Sequence, residues 1–332
     1  VKFSEQEKPG GQNKMRSYKI CLYGVALIIS MTSTSNYADV LQEQQTGKEH
    51  AAGTEFFFSD DSEGFQTRKL SAEFLPQYED ADHYLGVRGS AYQYRADDWK
   101  QDGQKISFIG RDIESATANG WVLEAGLFEQ GDHTLLTFDG SYRTLLAEKT
   151  AIEVFANRDW VETQAALEHG THFTFVGAAL DQGLGDHVTV VGVAGSQLFS
   201  DDNRRDHGRV RLIYQPSLDL GLTLQARYRT YRSSETDVGG EYFNPKDYQE
   251  SMFAIGWRKR ISGWTTGITA GLGREKINDD ASQNTRLFEL NLQSPVRSEQ
   301  FLRLNAGYNR SASFYGPDYN YRYVRGEWIL RF

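Results

Sequence analysis

The sequence lacks an apolar run of the roughly 20 residues that a membrane-spanning helix requires. Its mean hydropathy is −0.58 and only 39% of its residues are hydrophobic, so a helical membrane protein is excluded. Only one cysteine, Cys21, is present among 332 residues, which removes a disulfide framework. Proline is scarce, at six residues, as suits a chain of uninterrupted strands. No repeat of 20 to 50 residues marks a helical solenoid. The sequence contains no G-x-S-x-G, Walker loop or H-E-x-x-H, the motifs that would position a nucleophile, a nucleotide phosphate or a catalytic zinc.

The only long apolar run, Ile20 to Met31, follows Lys14, Arg16 and Lys19 and leads to Tyr37-Ala38. That is the order of a secretory signal peptide with cleavage after Ala38, although Asn36 is a weak residue three positions before the cut. A short membrane anchor is the alternative, and Cys21 stands too early in the run for a lipoprotein. Met15 is a natural start, which leaves 1–14 as upstream residues. Removing 1–38 takes away five basic and two acidic residues and moves the formal charge from −9 to −12. A strongly acidic exported chain is a poor nucleic-acid binder. Residues 39–53 are rich in Gln and Glu and read as a flexible lead.

Glycine (32), tyrosine (18) and phenylalanine (19) are abundant, and aromatics favour strands. From Thr54 onward the pattern is strand, turn, strand, with no convincing amphipathic helix. Strands are expected near 54–60, 65–77, 83–95, 104–114, 120–129, 133–144, 149–158, 169–180, 187–199, 207–216, 221–233, 248–260, 263–276, 284–294, 299–312 and 320–332. The number is even and the spacing is that of hairpins. Leu222, Leu224, Ala226 and Tyr228 alternate with Thr223, Gln225, Arg227, Arg229 and Tyr231. Leu302, Leu304, Ala306 and Tyr308 alternate with Arg303, Asn305, Gly307 and Asn309, and Phe288, Leu290 and Leu292 with Glu289, Asn291 and Gln293. Each strand therefore presents one apolar and one polar face, in a soluble sandwich or in a barrel whose apolar face meets lipid.

Connection lengths separate these two. Brief turns are expected at 79–82, 116–120, 183–186, 261–263 and 294–298, and longer polar loops at 96–103, 200–206, 234–247 and 314–319. Alternate short and long connections suit a transmembrane barrel with short periplasmic turns, although the connection at 130–132 is short for its set. Trp121 and Trp264 follow expected short turns, level with Phe332, as in an interfacial girdle. The expectation is an all-β, antiparallel, up-and-down transmembrane barrel of about sixteen strands in the outer membrane. Closure is required there because lipid leaves an open sheet edge without hydrogen-bond partners.

Two stretches resemble known families. In the last thirteen residues Val324, Gly326, Trp328, Leu330 and Phe332 share one face, and Tyr323, Arg325, Glu327 and Arg331 share the other. This resembles the final strand of bacterial outer-membrane barrels, and the resemblance implies that Phe332 is read by the barrel-assembly machinery. The segment Gly239-Gly240-Glu241-Tyr242-Phe243-Asn244-Pro245-Lys246-Asp247-Tyr248 resembles the Tyr-Phe-(Asn/Ser)-Pro segment that opens a strand in exopolysaccharide-export barrels. Those include the poly-N-acetylglucosamine porin, the barrel of the cellulose-export subunit and a related phage-adsorption barrel. The residues themselves also read as a plain turn, with Pro245 fixing φ and Asn244 capping it. The relatives carry tetratricopeptide repeats that this sequence does not show, so the resemblance implies a separate periplasmic scaffold or none.

The resemblance implies export of a polysaccharide through the lumen. Arg227, Arg229, Tyr231, Glu289, Arg303, Asn305, Tyr323, Arg325 and Glu327 are the expected lumen contacts. Tyr231 and Tyr323 are expected to stack on sugar, and Tyr242, Phe243, Asn244, Pro245 and Asp247 to form a gating loop. The alternatives are a surface or phage-receptor barrel that transports nothing, and a barrel hydrolase. His83, His133, His169, His172, His187 and His207 are scattered, and four follow an Asp at a turn. His169 and His172 would point to opposite faces of a strand, so no catalytic residue, cofactor or metal site is assigned. The acidic segments 60–63 and 201–203 read as solvated loop tips, with divalent-ion bridging to lipopolysaccharide as the alternative. The net acidity favours a neutral or cationic sugar, whereas the inward arginines favour an acidic one.

Overall fold

The computed structural model describes residues 49–311 and 320–332. The expected signal peptide, Cys21, the cleavage site at Ala38 and the first part of the lead lie outside these residues, as does the loop expected at 314–319. Among the described residues the chain forms sixteen strands and one short helix. The strands are β1 (Glu49–Asp61), β2 (Phe65–Asp80), β3 (His83–Ala96), β4 (Trp99–Ile113), β5 (Gly120–Gln130), β6 (His133–Ala147), β7 (Thr150–Trp160) and β8 (His172–Gly183). They continue with β9 (Val188–Phe199), β10 (Arg204–Ser217), β11 (Leu222–Ser233), β12 (Asp247–Ile261), β13 (Trp264–Ile277), β14 (Gln283–Gln293), β15 (Gln300–Arg310) and β16 (Asn320–Arg331). The helix α1 (Gln164–His169) lies between β7 and β8.

Each strand pairs antiparallel with its sequence neighbours, and β1 pairs with β16, so the sheet closes. The seam runs in register from Ala51 opposite Arg331 to Asp61 opposite Tyr321. Phe332 extends it by exchanging backbone hydrogen bonds with His50, at 2.9 and 3.3 Å. Glu49 to Gly53, expected as flexible lead, belong to β1, because β16 offers them a partner edge.

The alternation resolves as an apolar exterior and a polar interior. Phe56, Leu70, Phe108, Leu136, Leu212, Phe253, Leu272 and Trp328 are exposed on the outside. Water would penalise so continuous an apolar surface, whereas lipid accommodates it. At the seam the Phe56 ring lies over Gly326, its in-register partner, where a Cβ would collide with the ring. The interior is not a dry core but holds apolar clusters near its two ends. Around Tyr94, Phe128 and Leu167, and around Phe173, Phe199 and Tyr242, they lie at the end away from the seam terminus. A third, of Leu75, Ile109, Phe301 and Ile329, lies at the end that carries Phe332.

The connections depart from expectation in several places, and the loop expected at 200–206 is confined to 200–203 because β10 starts at Arg204. The segment 96–103, expected as a long loop, is a two-residue turn at Asp97-Asp98 with β4 starting at Trp99. Asp97 takes the left-handed conformation at φ 50°, which Asp tolerates, and the polar residues after it are strand. Tight turns at 62–64 and 131–132 lie at the same end, so the short connection at 130–132 is no exception there. Among the described residues the longer connections at this end are 161–171 and 234–246. The first holds α1, which is too short for helical periodicity to show in the sequence. Thr163 caps it by accepting from the Ala166 N–H at 2.9 Å, and Gly170 ends it at φ 71°. His169 is therefore helical, and the strand alternation assumed between it and His172 does not exist.

Candidate functional site

The nine expected lumen residues all face inward, on two walls of different character. On the wall formed by β1 to β5 with β15 and β16, acids and bases are closely matched. Glu55 accepts from Lys69 at 2.7 Å and from Arg325 at 2.6 Å. Arg88 donates to Glu73 at 2.9 Å and to Glu124 at 2.6 Å, and Lys105 pairs with Glu124 at 2.7 Å. Arg303 donates to Glu327 at 2.8 Å. Such pairs cross-link adjacent strands and fix their register.

The wall of β10 to β14 is richer in arginine. Arg229 donates to the Tyr248 hydroxyl at 2.7 Å and pairs with Glu250 at 2.9 Å, and the Tyr248 hydroxyl donates to Glu275 at 2.9 Å. Arg227 bonds Gln225 on its own strand at 2.8 and 3.0 Å and reaches Glu289 only at 3.9 Å. Tyr231 lies inside the barrel, but its ring is already covered. It stacks on Tyr248 at 4.5 Å and 12°, with the Arg205 guanidinium 5.0 Å from its centroid. Its expected stacking on sugar is therefore corrected: its faces are occupied by protein. Tyr323 is half-buried above Gly307 and stacks at 6.4 Å on Phe57. Asn305 is half-buried beside it on the same face.

At the loop end two segments fold inward. Glu162, just after β7, accepts from Thr67 on β2 and Tyr94 on β3, both at 3.2 Å. Strands β4 to β6 lie between, so the segment cuts a chord across the lumen. Ala166 and Leu167 of α1 are fully buried, and the Leu167 carbonyl accepts from Gln130 at 2.9 Å.

The loop 234–246 locks onto this chord. Thr163 donates its hydroxyl to the Glu241 carbonyl at 2.6 Å, and the Glu241 carboxylate takes His169 at 2.9 Å and the Thr171 hydroxyl. Tyr242 stacks on Phe199 at 4.5 Å and 10°, donates to Asp201 at 2.7 Å and accepts from Asn203 at 3.0 Å. Burial first, and then the Asp201 carboxylate, push its pKa well above the ordinary tyrosine range. Asn244 accepts from Asn203 at 3.0 Å and donates to the Glu235 carbonyl at 2.7 Å. Arg205, buried at 1% exposure, donates to the Phe243 carbonyl at 2.6 Å and lies among the Phe199, Tyr231 and Tyr242 rings. Pro245 is buried, and Asp247 opens β12 by accepting from Arg232 at 2.8 Å.

The expected loop motif is thus built into the barrel. Arg205, Asn203 and Thr163 hold it, and sequence reading assigned none of them that role. Asn203 and Arg205 sit in a charged segment that reads as a solvated tip.

The histidines spread over both ends. His83 bonds Asp80 at 2.8 Å, His133 the Glu168 carbonyl at 3.2 Å, His187 the Gln215 carbonyl at 2.8 Å, and His207 Gln197 at 3.3 Å. His172 lies 2.9 Å from Arg158. Only His169 is brought to a carboxylate of the inward loops.

No family model and no curated protein matches the sequence. Among solved structures, a bacterial polysaccharide outer membrane secretin is similar with a TM-score of 0.63 and 12% identity, over 86% of this chain and 99% of that one. The chain has the fold of an outer-membrane β-barrel. The outer membrane protein OpdK of Pseudomonas aeruginosa is matched at a TM-score of 0.41 and 11% identity, over 86% and 99% of the two chains. OccAB3 of Acinetobacter baumannii is matched at 0.42 and 13%, over the same shares.

Proposed function

We propose that this barrel is an outer-membrane conduit for a secreted polysaccharide. The observation that carries the reading is that polar side chains enclosed by the closed sheet still face water. Glu289 remains 31% exposed and Arg325 50% exposed while both point inward. Hydrogen bonds to sugar hydroxyls along such a wall are individually weak, about 1 kcal/mol each, so a chain held by several can advance by exchanging them one at a time. Tyr323 supplies a ring for sugar stacking. The latch of Tyr242, Asn244 and Arg205 closes or opens the loop end. The fold shared with a polysaccharide secretin agrees with this reading.

In it, lipid surrounds the apolar belt, lipopolysaccharide meets the polar loop tips, and the barrel-assembly machinery engages the strand that ends at Phe332. The polymer arrives from a separate periplasmic scaffold or directly.

Single-channel recording of the purified barrel in planar bilayers tests the proposal. Steady conductance that long oligosaccharides interrupt for longer than monosaccharides is expected. A barrel that conducts small ions with no response to oligosaccharide is a pore for small solutes, and a silent one is a surface protein.

A further inference from the structure

The lumen carries a block of four arginines, Arg209, Arg211, Arg227 and Arg229, and among the described residues only the last two reach a carboxylate. Arg209 and Arg211 project inward from β10, and their in-register partners on β11 are Arg229 and Arg227. Guanidiniums therefore face guanidiniums across one hairpin, and like charges placed opposite each other destabilise a sheet. On the other side, the partners of Arg209 and Arg211 on β9 are Val193 and Val191. Neither arginine has an acid beside it on either neighbouring strand.

Glu289 of β14 lies 3.9 Å from Arg227, and the other nearby carboxylates are held by other groups. Glu250 is held by Arg229, and Asp181 of β8 by Arg143. Among the described residues Arg209 and Arg211 make no hydrogen bond or ion pair, and both are half-buried. Nearby, the Arg229 Nε and the His207 Nδ1 are buried without a hydrogen-bond partner. On the opposite wall Lys69, Arg88, Lys105, Arg303 and Arg325 all meet a carboxylate within 3 Å.

The inward positions of β13 include Gly267, Thr269, Gly271 and Gly273, with Thr269 opposite Glu289 of β14, and across this strand Arg227 on β11 comes within 3.9 Å of Glu289. Arg209, Arg211 and Arg227 are only half-buried and keep part of their side chains open to the lumen.

We propose that Arg209, Arg211 and Arg227 form a binding site for an oxyanion carried on the translocated solute, a carboxylate of an acidic sugar foremost. Paired guanidiniums present parallel N–H donors that match the two oxygens of a carboxylate. The missing counter-charge comes from the cargo, which accounts for unopposed arginines where a glutamate would remove the repulsion. The site deepens the conduit reading and names the polymer class as acidic, against the indication of the chain's net charge.

The test uses the whole barrel in planar bilayers and detergent, with oligogalacturonate, a sulfated oligosaccharide and a neutral malto-oligosaccharide of matched length as probes. Oligogalacturonate is expected to block at a concentration about tenfold lower than the neutral sugar, with the advantage fading as salt rises. The double variant R209Q/R211Q should erase most of that tenfold difference. It also relieves repulsion, so it should fold at least as well as the parent, which urea unfolding verifies. A sulfated probe that outcompetes oligogalacturonate would make the ligand a sulfate ester and overturn the carboxylate assignment. Equal block by neutral and acidic sugars, or a variant that keeps the difference, overturns the site and leaves the conduit standing. A barrel that does not conduct overturns the conduit, and the site is then judged by binding in detergent: oligogalacturonate bound by the parent and lost in R209Q/R211Q supports it, and no binding ends it.

Discussion

Glu55 and Glu327 stand opposite one another, in register, across the seam where β1 meets β16. Both are buried, at 1% and 8% exposure, so two carboxylates of like charge face each other where the barrel must close. The repulsion is relieved by Lys69 and Arg325 on Glu55 and by Arg303 on Glu327. Arg325 comes from β16 itself, so it ties the two strands as it neutralises.

Arg325→Met should therefore weaken the seam. Removing one partner of a buried pair costs several kcal/mol, but Arg325 is half-exposed and Glu55 keeps Lys69, so a loss of about 1–3 kcal/mol is expected. Urea unfolding in lipid vesicles measures it. The pair E55Q/R325M should cost less than the sum of the single changes, because the first change leaves no buried charge for the second to orphan.

The two faces of a strand should answer oppositely to the same charge. Leu212 lies outside on β10, exposed to 44%, and Leu212→Arg should cost about 2–4 kcal/mol if it meets the bilayer midplane. Asn305→Arg, on the inner face of β15, should change stability by less than about 1 kcal/mol while shifting ion selectivity toward anions. Unfolding and reversal-potential measurements on both variants decide it. Equal destabilisation would mean that the face assigned to lipid is not in lipid.

Tyr242→Phe keeps the ring stacked on Phe199 but removes the hydroxyl between Asp201 and Asn203. The loop should loosen by about 1 kcal/mol, read as trypsin cleavage after the exposed Lys246 some fivefold faster than in the parent. The pKa of Tyr242 is raised by burial and by Asp201, so the folded state favours the protonated hydroxyl. The stabilisation is fully present below the ordinary tyrosine value of about 10 and is lost as pH rises above it. Cleavage of the parent should accelerate above about pH 10, and the Phe variant should lack that step.

Thr163 joins the two inward segments, as cap of α1 and as donor to Glu241. Thr163→Ala should cost about 1–2 kcal/mol locally and leave the strands intact. Hydrogen exchange should rise in 161–171 and 234–246 together and stay unchanged in β1 and β16. Exchange that rises in only the first segment would show that the second does not depend on it.

The period-two alternation made the barrel readable. Leu302, Leu304 and Ala306 against Arg303, Asn305 and Gly307 state two faces in a form any sheet must respect. Features carried by a few residues were hidden. Six residues of α1 with Ala166 and Leu167 as their buried pair leave no periodic trace. The polar residues after Asp97-Asp98 read as loop although they pair along β4. Arg205 looked like one more charge in a solvated tip, because what buries it is a loop almost forty residues further on.

Local chemistry alone therefore determined that this chain makes paired strands with one face for lipid and one for water, since side-chain direction in a strand depends only on position. Which inward groups find a partner was decided by tertiary structure. Closing the sheet sets the Cα register between strands, and that register places Arg325 on Glu55 while it leaves Arg209 and Arg211 between valines and other arginines.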